Sequence, residues 1–252
     1  MSVMTIERRV LEKNDTIAAA NRARLARHGL FAFNLVSSPG AGKTSLLERT
    51  LERLRDEIRV AVIEGDVQTD LDARRVARYE VPVIQIVTNG GCHLEARLVA
   101  DALGGLDLDA LDLVVIENVG NLVCPANYDL GEALKVVLLS TTEGDDKPLK
   151  YPAMFRNAGV LVINKIDLVP HLDADLAAIR RNARAINPDL EIFEVSCRTG
   201  EGLAEWCAWI ERQVVRGRAV SERAEGPTAP AERAGGGPGA AAGVGGEKAG
   251  RA

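Results

Sequence analysis

Asn34-Leu35-Val36-Ser37-Ser38-Pro39-Gly40-Ala41-Gly42-Lys43-Thr44-Ser45 is the stretch that decides the fold of this chain. It follows an apolar, β-prone run and precedes leucines at helical spacing, so it lies where a strand passes into a helix. The glycines let backbone amides turn toward phosphate oxygens, the lysine adds a positive charge, and the threonine hydroxyl is a ligand for Mg²⁺. The new helix points its partial positive end at the anion. The residues predicted to bind phosphate are Gly40, Ala41, Gly42, Lys43, Thr44 and Ser45.

The first position of this loop departs from the usual pattern, because Ser37 stands where glycine is expected. A glycine-rich turn without further context is often only a tight turn. Gly-Lys-Thr between a strand and a helix outweighs that alternative, and it predicts a nucleotide-binding loop.

Composition narrows the classes of function. Among 252 residues, 31 basic and 36 acidic side chains give a formal charge of −5, so no bulk attraction draws nucleic acid or an anionic membrane. We find no apolar run near the roughly 20 residues that span a bilayer and no signal-peptide core, so we expect a cytoplasmic protein. The four cysteines are too scattered for a disulfide framework, which leaves metal binding or burial.

The chain alternates apolar runs with helical patterns, which predicts an α/β fold of the P-loop NTPase type. Its mostly parallel sheet carries helices on both faces, and ligands bind at the carboxyl ends of its strands. The predicted parts are an N-terminal helical segment at 1–30, a P-loop domain at 31–216, and a disordered tail rich in Gly, Ala and Pro at 217–252. The predicted strands after the first are 59–63, 83–87, 113–116, 136–139, 160–163 and 191–195.

The predicted strand at 160–163 ends in Asn164-Lys165-Ile166-Asp167, which favours guanine. The carboxylate of Asp167 accepts hydrogen bonds from the ring N1–H and the exocyclic amine, which adenine does not offer in that arrangement. Lys165 covers the base and Asn164 ties neighbouring loops together. A strand-exit turn is the ordinary alternative. Ser196 and Cys197 follow another strand, where their backbone amides can reach guanine O6, and together these segments predict GTP and GDP as ligands.

Acidic residues end two further strands. Asp66 closes one strand and Glu117 closes another, and in nucleotide hydrolases such carboxylates hold Mg²⁺ and orient water. We assign Mg²⁺ to Asp66 with Thr44, and catalytic roles to Lys43, Asp66 and Glu117.

Gly120 is predicted to bring the backbone close to the γ-phosphate. Asp70 and Asp72 follow the first acidic strand end, and for each of them a solvated loop position is the more ordinary interpretation.

A second centre is predicted from Cys92, His93 and Cys124, because both of their loops leave the same edge of the sheet. Two thiolates and an imidazole suit Zn²⁺ or Ni²⁺. Buried cysteines and a helix-capping histidine are the alternatives. Cys207 lies between two tryptophans on an amphipathic helix and is interpreted as a core residue.

With these motifs, the chain closely resembles the nickel-incorporation GTPases of hydrogenase maturation, the HypB type, from about Val10 to Ile210. The shared segments are Asn14-Asp15, Asn21-Arg22, the phosphate loop, Glu64-Gly65-Asp66, Gly91-Cys92-His93, the segment 117–125, the segment 142–148 and Asn164 to Asp167.

The resemblance implies a slow GTPase that binds nickel or zinc through Cys92, His93 and Cys124 and assists nickel insertion into the large subunit of [NiFe] hydrogenase. It also implies a homodimer on GTP or metal binding, with Lys147 and Lys150 reaching nucleotide across the dimer. The implied partners are a nickel-delivering accessory protein and the hydrogenase large-subunit precursor. Neither nucleic acid nor membrane is expected as a partner.

Two alternatives stay open at the level of sequence. One is a related GTPase that serves urease or a cobalamin-dependent mutase, and the other is a non-catalytic metal carrier clamped by nucleotide. Residues 1–30 contain no cysteine and only His28, so we expect no high-affinity nickel store there.

Overall fold

The structure, a computed structural model, describes residues 6–68 and 71–225 and places them in seven strands and eight α-helices. The strands are β1 (Phe31–Ser37), β2 (Val60–Asp66), β3 (Val83–Val87), β4 (Leu113–Glu117), β5 (Leu134–Ser140), β6 (Ala158–Asn164) and β7 (Glu191–Glu194). The helices are α1 (Ile6–Arg27), α2 (Lys43–Leu54), α3 (Leu71–Ala77), α4 (Ala96–Gly104), α5 (Lys147–Lys150), α6 (Pro152–Arg156), α7 (Leu176–Ile186) and α8 (Leu203–Glu225). The predicted α/β fold, the strand before the phosphate loop and the six further strands are confirmed.

All seven strands form one parallel sheet in the order β3-β2-β4-β1-β5-β6-β7. The chain therefore reverses its direction of winding at β1, which lies centrally between β4 and β5. In such sheets ligands bind beyond the carboxyl ends of the strands at this reversal point. The phosphate loop leaves β1 there.

Alternating apolar side chains along each strand build a core on both faces of the sheet, as buried parallel strands require. One face packs against α2 and α8, where Trp206 and Trp209 stack with ring centroids 5.3 Å apart. The opposite face packs against α1 and α4 at one end and against α6 and α7 at the other. Cys207 lies in the first of these cores, which confirms its interpretation.

The predicted tail begins too early, because α8 continues through Gly217 to Glu225. A Cβ built on Gly217 would lie 3.2 Å from the carbonyl oxygen of Gly29, so the glycine allows the helix to pass close to the turn before β1. Arg218 then pairs with buried Asp112 at 2.6 Å. The composition of 217–252 predicted a segment that cannot pack against the domain, whereas these contacts hold residues 217–221 against it. The rest of the predicted tail, 226–252, lies outside the described residues, as do 1–5.

Within the described ranges, 6–68 and 71–225, no helix is both long enough and apolar enough to cross a bilayer.

Candidate nucleotide and metal sites

The phosphate loop has the backbone conformation that its glycines were expected to provide. Gly40 and Gly42 have φ of +76° and +106°, a region that side chains with a Cβ rarely adopt. Gly42 also immediately precedes α2, and a Cβ there would lie 2.6 Å from Nδ2 of Asn164. Any larger residue at this position would both strain the loop and displace Asn164.

Ser37 is compatible with the loop because it is the last residue of β1 and remains in extended conformation. Its hydroxyl donates to the carbonyl oxygen of Ser38 at 2.6 Å, and Nζ of Lys43 donates to Ser37 Oγ at 3.3 Å. The loop therefore needs no left-handed residue at its entry.

A cavity of about 320 Å³ opens beside the loop, lined by Gly42, Ser45, Asn164, Lys165, Asp167, Leu168, Cys197 and Arg198. Asn164 is buried and holds three segments together. Its Nδ2 donates to the carbonyl oxygen of Ala41 at 3.0 Å, and its Oδ1 accepts from the amides of Lys165 at 2.8 Å and Cys197 at 3.2 Å. The predicted tying role of Asn164 is thus present in the structure, and this cavity is the candidate site for the base.

Ser196 forms a hydrogen bond with the carboxylate of Asp167 and is not among the residues that line this cavity. Its hydroxyl donates to Oδ1 of Asp167 at 2.6 Å and accepts from the amide of Thr199 at 3.0 Å. The amide of Cys197, which was predicted to reach guanine, donates to Asn164 instead. The Cys197 side chain does line the cavity, and burial raises the pKa of its thiol to about 11.

Lys165 reaches across the cavity mouth to the phosphate loop. It has a left-handed backbone, with φ of +64°, and its Nζ donates to the carbonyl oxygen of Gly40 at 2.8 Å. The aliphatic stem therefore spans the cavity, as its predicted position over the base requires.

The acidic strand ends meet on the other side of the phosphate loop. The hydroxyl of Thr44 donates to Oε1 of Glu117 at 3.1 Å. Carboxylate oxygens of Glu64, Asp72 and Glu117 lie within 4.8 Å of one another. Burial raises the pKa of Glu64 to about 8, helped by the neighbouring Glu117, and burial raises the pKa of Glu117 to about 7 against the opposing charge of Lys43.

This cluster fits a divalent cation. Oε2 of Glu64 and Oε2 of Glu117 are buried without a hydrogen-bond partner, and Mg²⁺ uses one or two carboxylates together with hydroxyl and phosphate oxygens. A cation at this point would satisfy those oxygens and bring both carboxylates into their charged form.

Glu64 and Asp72 were not among the predicted ligands, and the structure changes how Asp66 and Asp72 are interpreted. Asp72 lies on α3 and not in a loop as expected; its carboxylate joins the cluster and also pairs with Arg75 at 3.1 Å. Asp66 lines a cavity of about 290 Å³ together with the three clustered acids, but its Oδ1 accepts from the amide of Val67 at 2.5 Å and it lies outside the group of three. Its role as Mg²⁺ ligand stays a prediction. Asp70 lies outside the described residues.

Gly120 brings the segment after β4 against the phosphate loop. A Cβ built on Gly120 would lie 3.1–3.2 Å from three atoms of Pro39. This segment therefore lies close to the phosphate loop, and the approach of Gly120 to the γ-phosphate stays a prediction.

The three predicted ligands of the second centre lie close together. One ligand atom each of Cys92, His93 and Cys124 lies within 4.8 Å of the others. Sγ of Cys92 is 3.5 Å from Nδ1 of His93, and Asn121 donates to the carbonyl oxygen of Cys92 at 3.2 Å, which joins the two loops. The Cys124 thiol beside it raises the pKa of the Cys92 thiol, and burial lowers the pKa of His93. Close thiols and a neutral imidazole suit a soft or borderline cation.

Lys147 and Lys150 do not reach either cavity of their own chain. Lys147 pairs with Glu143 at 3.2 Å, and Lys150 pairs with Asp146 at 2.7 Å. Contact with nucleotide across a dimer stays a prediction for both.

Comparison with known proteins identifies the family. Residues 31–194 match the family model described as CobW/HypB/UreG, nucleotide-binding domain. The hydrogenase maturation factor HypB of Azotobacter vinelandii is 58% identical over 211 residues, which cover 84% of this chain and 70% of that protein. The chain belongs to the HypB family of hydrogenase maturation factors.

Further HypB proteins agree with this assignment. HypB of Escherichia coli (strain K12) is 51% identical over 211 residues, covering 84% of this chain and 73% of that protein. The crystal structure of HypB from Helicobacter pylori in complex with nickel superposes with a TM-score of 0.78 at 38% identity, covering 82% of this chain and 97% of that one. As a HypB-family member, this chain is a GTPase of hydrogenase maturation.

Proposed function

We propose that this chain is a GTP-hydrolysing metallochaperone that binds nickel at Cys92, His93 and Cys124 and releases it according to nucleotide state. The client is the large-subunit precursor of [NiFe] hydrogenase. GTP and Mg²⁺ occupy the cavities on either side of the phosphate loop, and the metal occupies the thiol centre.

The short segment from Glu117 to Cys124 carries this proposal, since it contacts both sites. Its first residue accepts from Thr44, and Gly120 packs against Pro39 of the phosphate loop. Asn121 then bonds the Cys92 backbone, and Cys124 supplies a thiol. A change at the γ-phosphate therefore acts on a segment that also bears a metal ligand. Hydrolysis would shift the segment, withdraw one thiolate and weaken metal binding.

Each residue of the nucleotide site has a separate task in hydrolysis. Lys43 offsets the negative charge that spreads over the phosphate oxygens, and the α2 N-terminus adds its amides. Thr44 and the acidic cluster would hold Mg²⁺, which would offset the negative charge of the phosphates. Asp167 selects guanine.

The metal centre favours association of two copies. A tetrahedral or planar ion needs four ligands, and this centre supplies three. A second copy of the chain or a water molecule would supply the fourth. We therefore propose a homodimer on GTP or metal binding, a nickel-delivering accessory partner and a cytoplasmic location.

Phosphate release tests the enzymatic part of this proposal. Purified protein should release phosphate from GTP slowly, and Lys43→Ala and Asp66→Ala should reduce that rate. Equal rates in all three proteins would favour a carrier that uses nucleotide only as a clamp.

Nickel stoichiometry tests the metal part. Cys92→Ser or Cys124→Ser should abolish tight Ni²⁺ binding, because each removes one of three ligands. Cys207→Ala is the matched control, since it removes a thiol buried in the core, and its nickel binding should equal that of the wild type. Tight binding in both serine variants would place the metal elsewhere.

A further inference from the structure

Leu94, the residue after His93, is fixed to the nucleotide side of the molecule by two independent contacts. Its amide donates to Oδ1 of Asn118 at 3.1 Å, and both residues are almost fully buried. The same oxygen accepts from the amide of Val119 at 3.0 Å. One side-chain atom therefore joins the metal-ligand loop to the segment that approaches the γ-phosphate.

The second contact is steric. The Leu94 side chain packs directly against Gly65 at the end of β2, where an added Cβ would lie 2.8–2.9 Å from three leucine atoms. Gly65 lies between Glu64 and Asp66, which line the acidic cavity. Both acidic strand ends thus contact Leu94, and a movement of either is passed to the neighbour of His93.

The Nδ2 atom of Asn118 belongs to a buried chain of hydrogen bonds and one ion pair. Its Nδ2 donates to Oδ1 of Asn34 at 3.2 Å, and Asn34 donates to Glu132 at 3.3 Å. Glu132 pairs with Lys135 at 3.1 Å inside the domain. The Asn118 side chain is therefore held at its Nδ2 end, so a displacement of the backbone at 118–119 turns the side-chain amide about that end and changes the bond from Leu94 to Oδ1.

A different set of contacts anchors the same loop away from the nucleotide. Asn14 accepts from the amide of Ala96 at 2.9 Å, and Asn21 donates to the carbonyl oxygens of Ala96 at 2.8 Å and Leu130 at 2.9 Å. These asparagines lie on α1 and touch neither cavity of the nucleotide site. They hold the loop to α1, whereas the contacts of Leu94 connect the loop to Asn118 and Gly65 beside the nucleotide site.

We propose that Asn118, with Leu94 and Gly65, is a positioning device that couples nucleotide state to nickel affinity through the His93 side of the metal centre. The inference rests on the proposed function and deepens it, since it assigns a second route, besides Cys124, by which nucleotide state alters nickel affinity. Asn118 acts through Leu94 and does not touch the metal.

The test measures Ni²⁺ affinity of Asn118→Ala with GDP and with a non-hydrolysable GTP analogue. Linked sites usually differ by roughly 5- to 150-fold in affinity. In Asn118→Ala the ratio between the two states should fall to less than half of the wild-type ratio. Gly65→Ala should lower the ratio too, by pressing on Leu94, and Gly65→Ala/Leu94→Ala should restore part of it.

Asn21→Ala is the matched control, because it loosens the same loop from α1. Its nickel affinity should fall by the same factor in both nucleotide states, leaving the ratio unchanged. In the wild type without metal, hydrogen exchange of the segment 92–96 should differ between GDP and the analogue, which tests the link without any variant.

The possible results separate the two proposals. A wild-type ratio of one overturns the nucleotide-controlled release and this link with it. A wild-type ratio above one that persists in Asn118→Ala and Gly65→Ala overturns the link alone, as does identical exchange at 92–96 in both states. If Asn118→Ala fails to fold, Gly65→Ala and the exchange measurement decide.

Discussion

Replacing Asp167 with Asn should change the base preference of the enzyme from guanine toward xanthine. The hydroxyl of Ser196 donates to the carboxylate of Asp167, which can only accept. An asparagine that keeps this bond presents its oxygen to the hydroxyl, so its Nδ2 takes the place of the second carboxylate oxygen. Xanthine carries a carbonyl oxygen where guanine carries an amine, and it matches this donor.

The magnitude follows from the hydrogen bonds exchanged. A hydrogen bond to a charged group contributes about 1.5–3 kcal/mol. Losing one such bond and setting an amide NH₂ against the guanine amine costs roughly 3 kcal/mol, which corresponds to about 100-fold in affinity. GTP binding to Asp167→Asn should weaken by that factor, and xanthosine triphosphate should become the better ligand.

Competition between the two nucleotides, measured by calorimetry on wild type and variant, checks this expectation. Asp175→Asn is a matched control, because Asp175 is exposed, caps α7 by accepting from the Ala177 amide at 2.8 Å, and asparagine caps equally well. A variant that still prefers GTP, or that loses both nucleotides equally, would refute the assignment of Asp167 to the base.

Two further predictions concern the loop and the fold. Gly42→Ala should lower the free energy of unfolding by about 1–2 kcal/mol and weaken GTP binding, since it strains a left-handed residue and displaces Asn164. Gly104→Ala, where the added methyl meets open space, should do neither in the same denaturation and binding assays. Asp112→Asn should cost about 2 kcal/mol at pH 7 in urea unfolding, because it removes buried bonds to Arg59. The paired arginines hold the pKa of Asp112 well below its ordinary value, so this stability is present above about pH 4 and is lost as pH falls further. The gap between variant and wild type should therefore shrink at pH 3, and a constant gap would contradict the ion pair.

The strands, the phosphate loop and the segment 164–167 could be predicted because each is a pattern of neighbouring residues in the sequence. Short apolar runs mark buried parallel strands regardless of their neighbours, and Gly42 and Asn164 are required by local geometry. The proximity of Cys92 and Cys124 could also be predicted from the sequence, because both residues follow strands that end at one sheet edge.

The remaining features depend on tertiary placement. Asp72 enters the acidic cluster only because α3 folds back toward β4, and no local pattern indicates that. The extension of α8 was hidden by glycine, which weakens a helix in isolation but allows the close passage at Gly29. Asn118 is one polar residue beside a strand end, and its link to Leu94 spans 24 positions.

The affinity of the wild-type protein for Ni²⁺, measured with GDP and with a non-hydrolysable GTP analogue under otherwise identical conditions, tests the central claim most directly. The segment from Glu117 to Cys124 touches both sites, so the GDP state should bind nickel more weakly, within the roughly 5- to 150-fold range usual for coupled sites. Equal affinities in the two states would contradict a nucleotide-controlled release of metal.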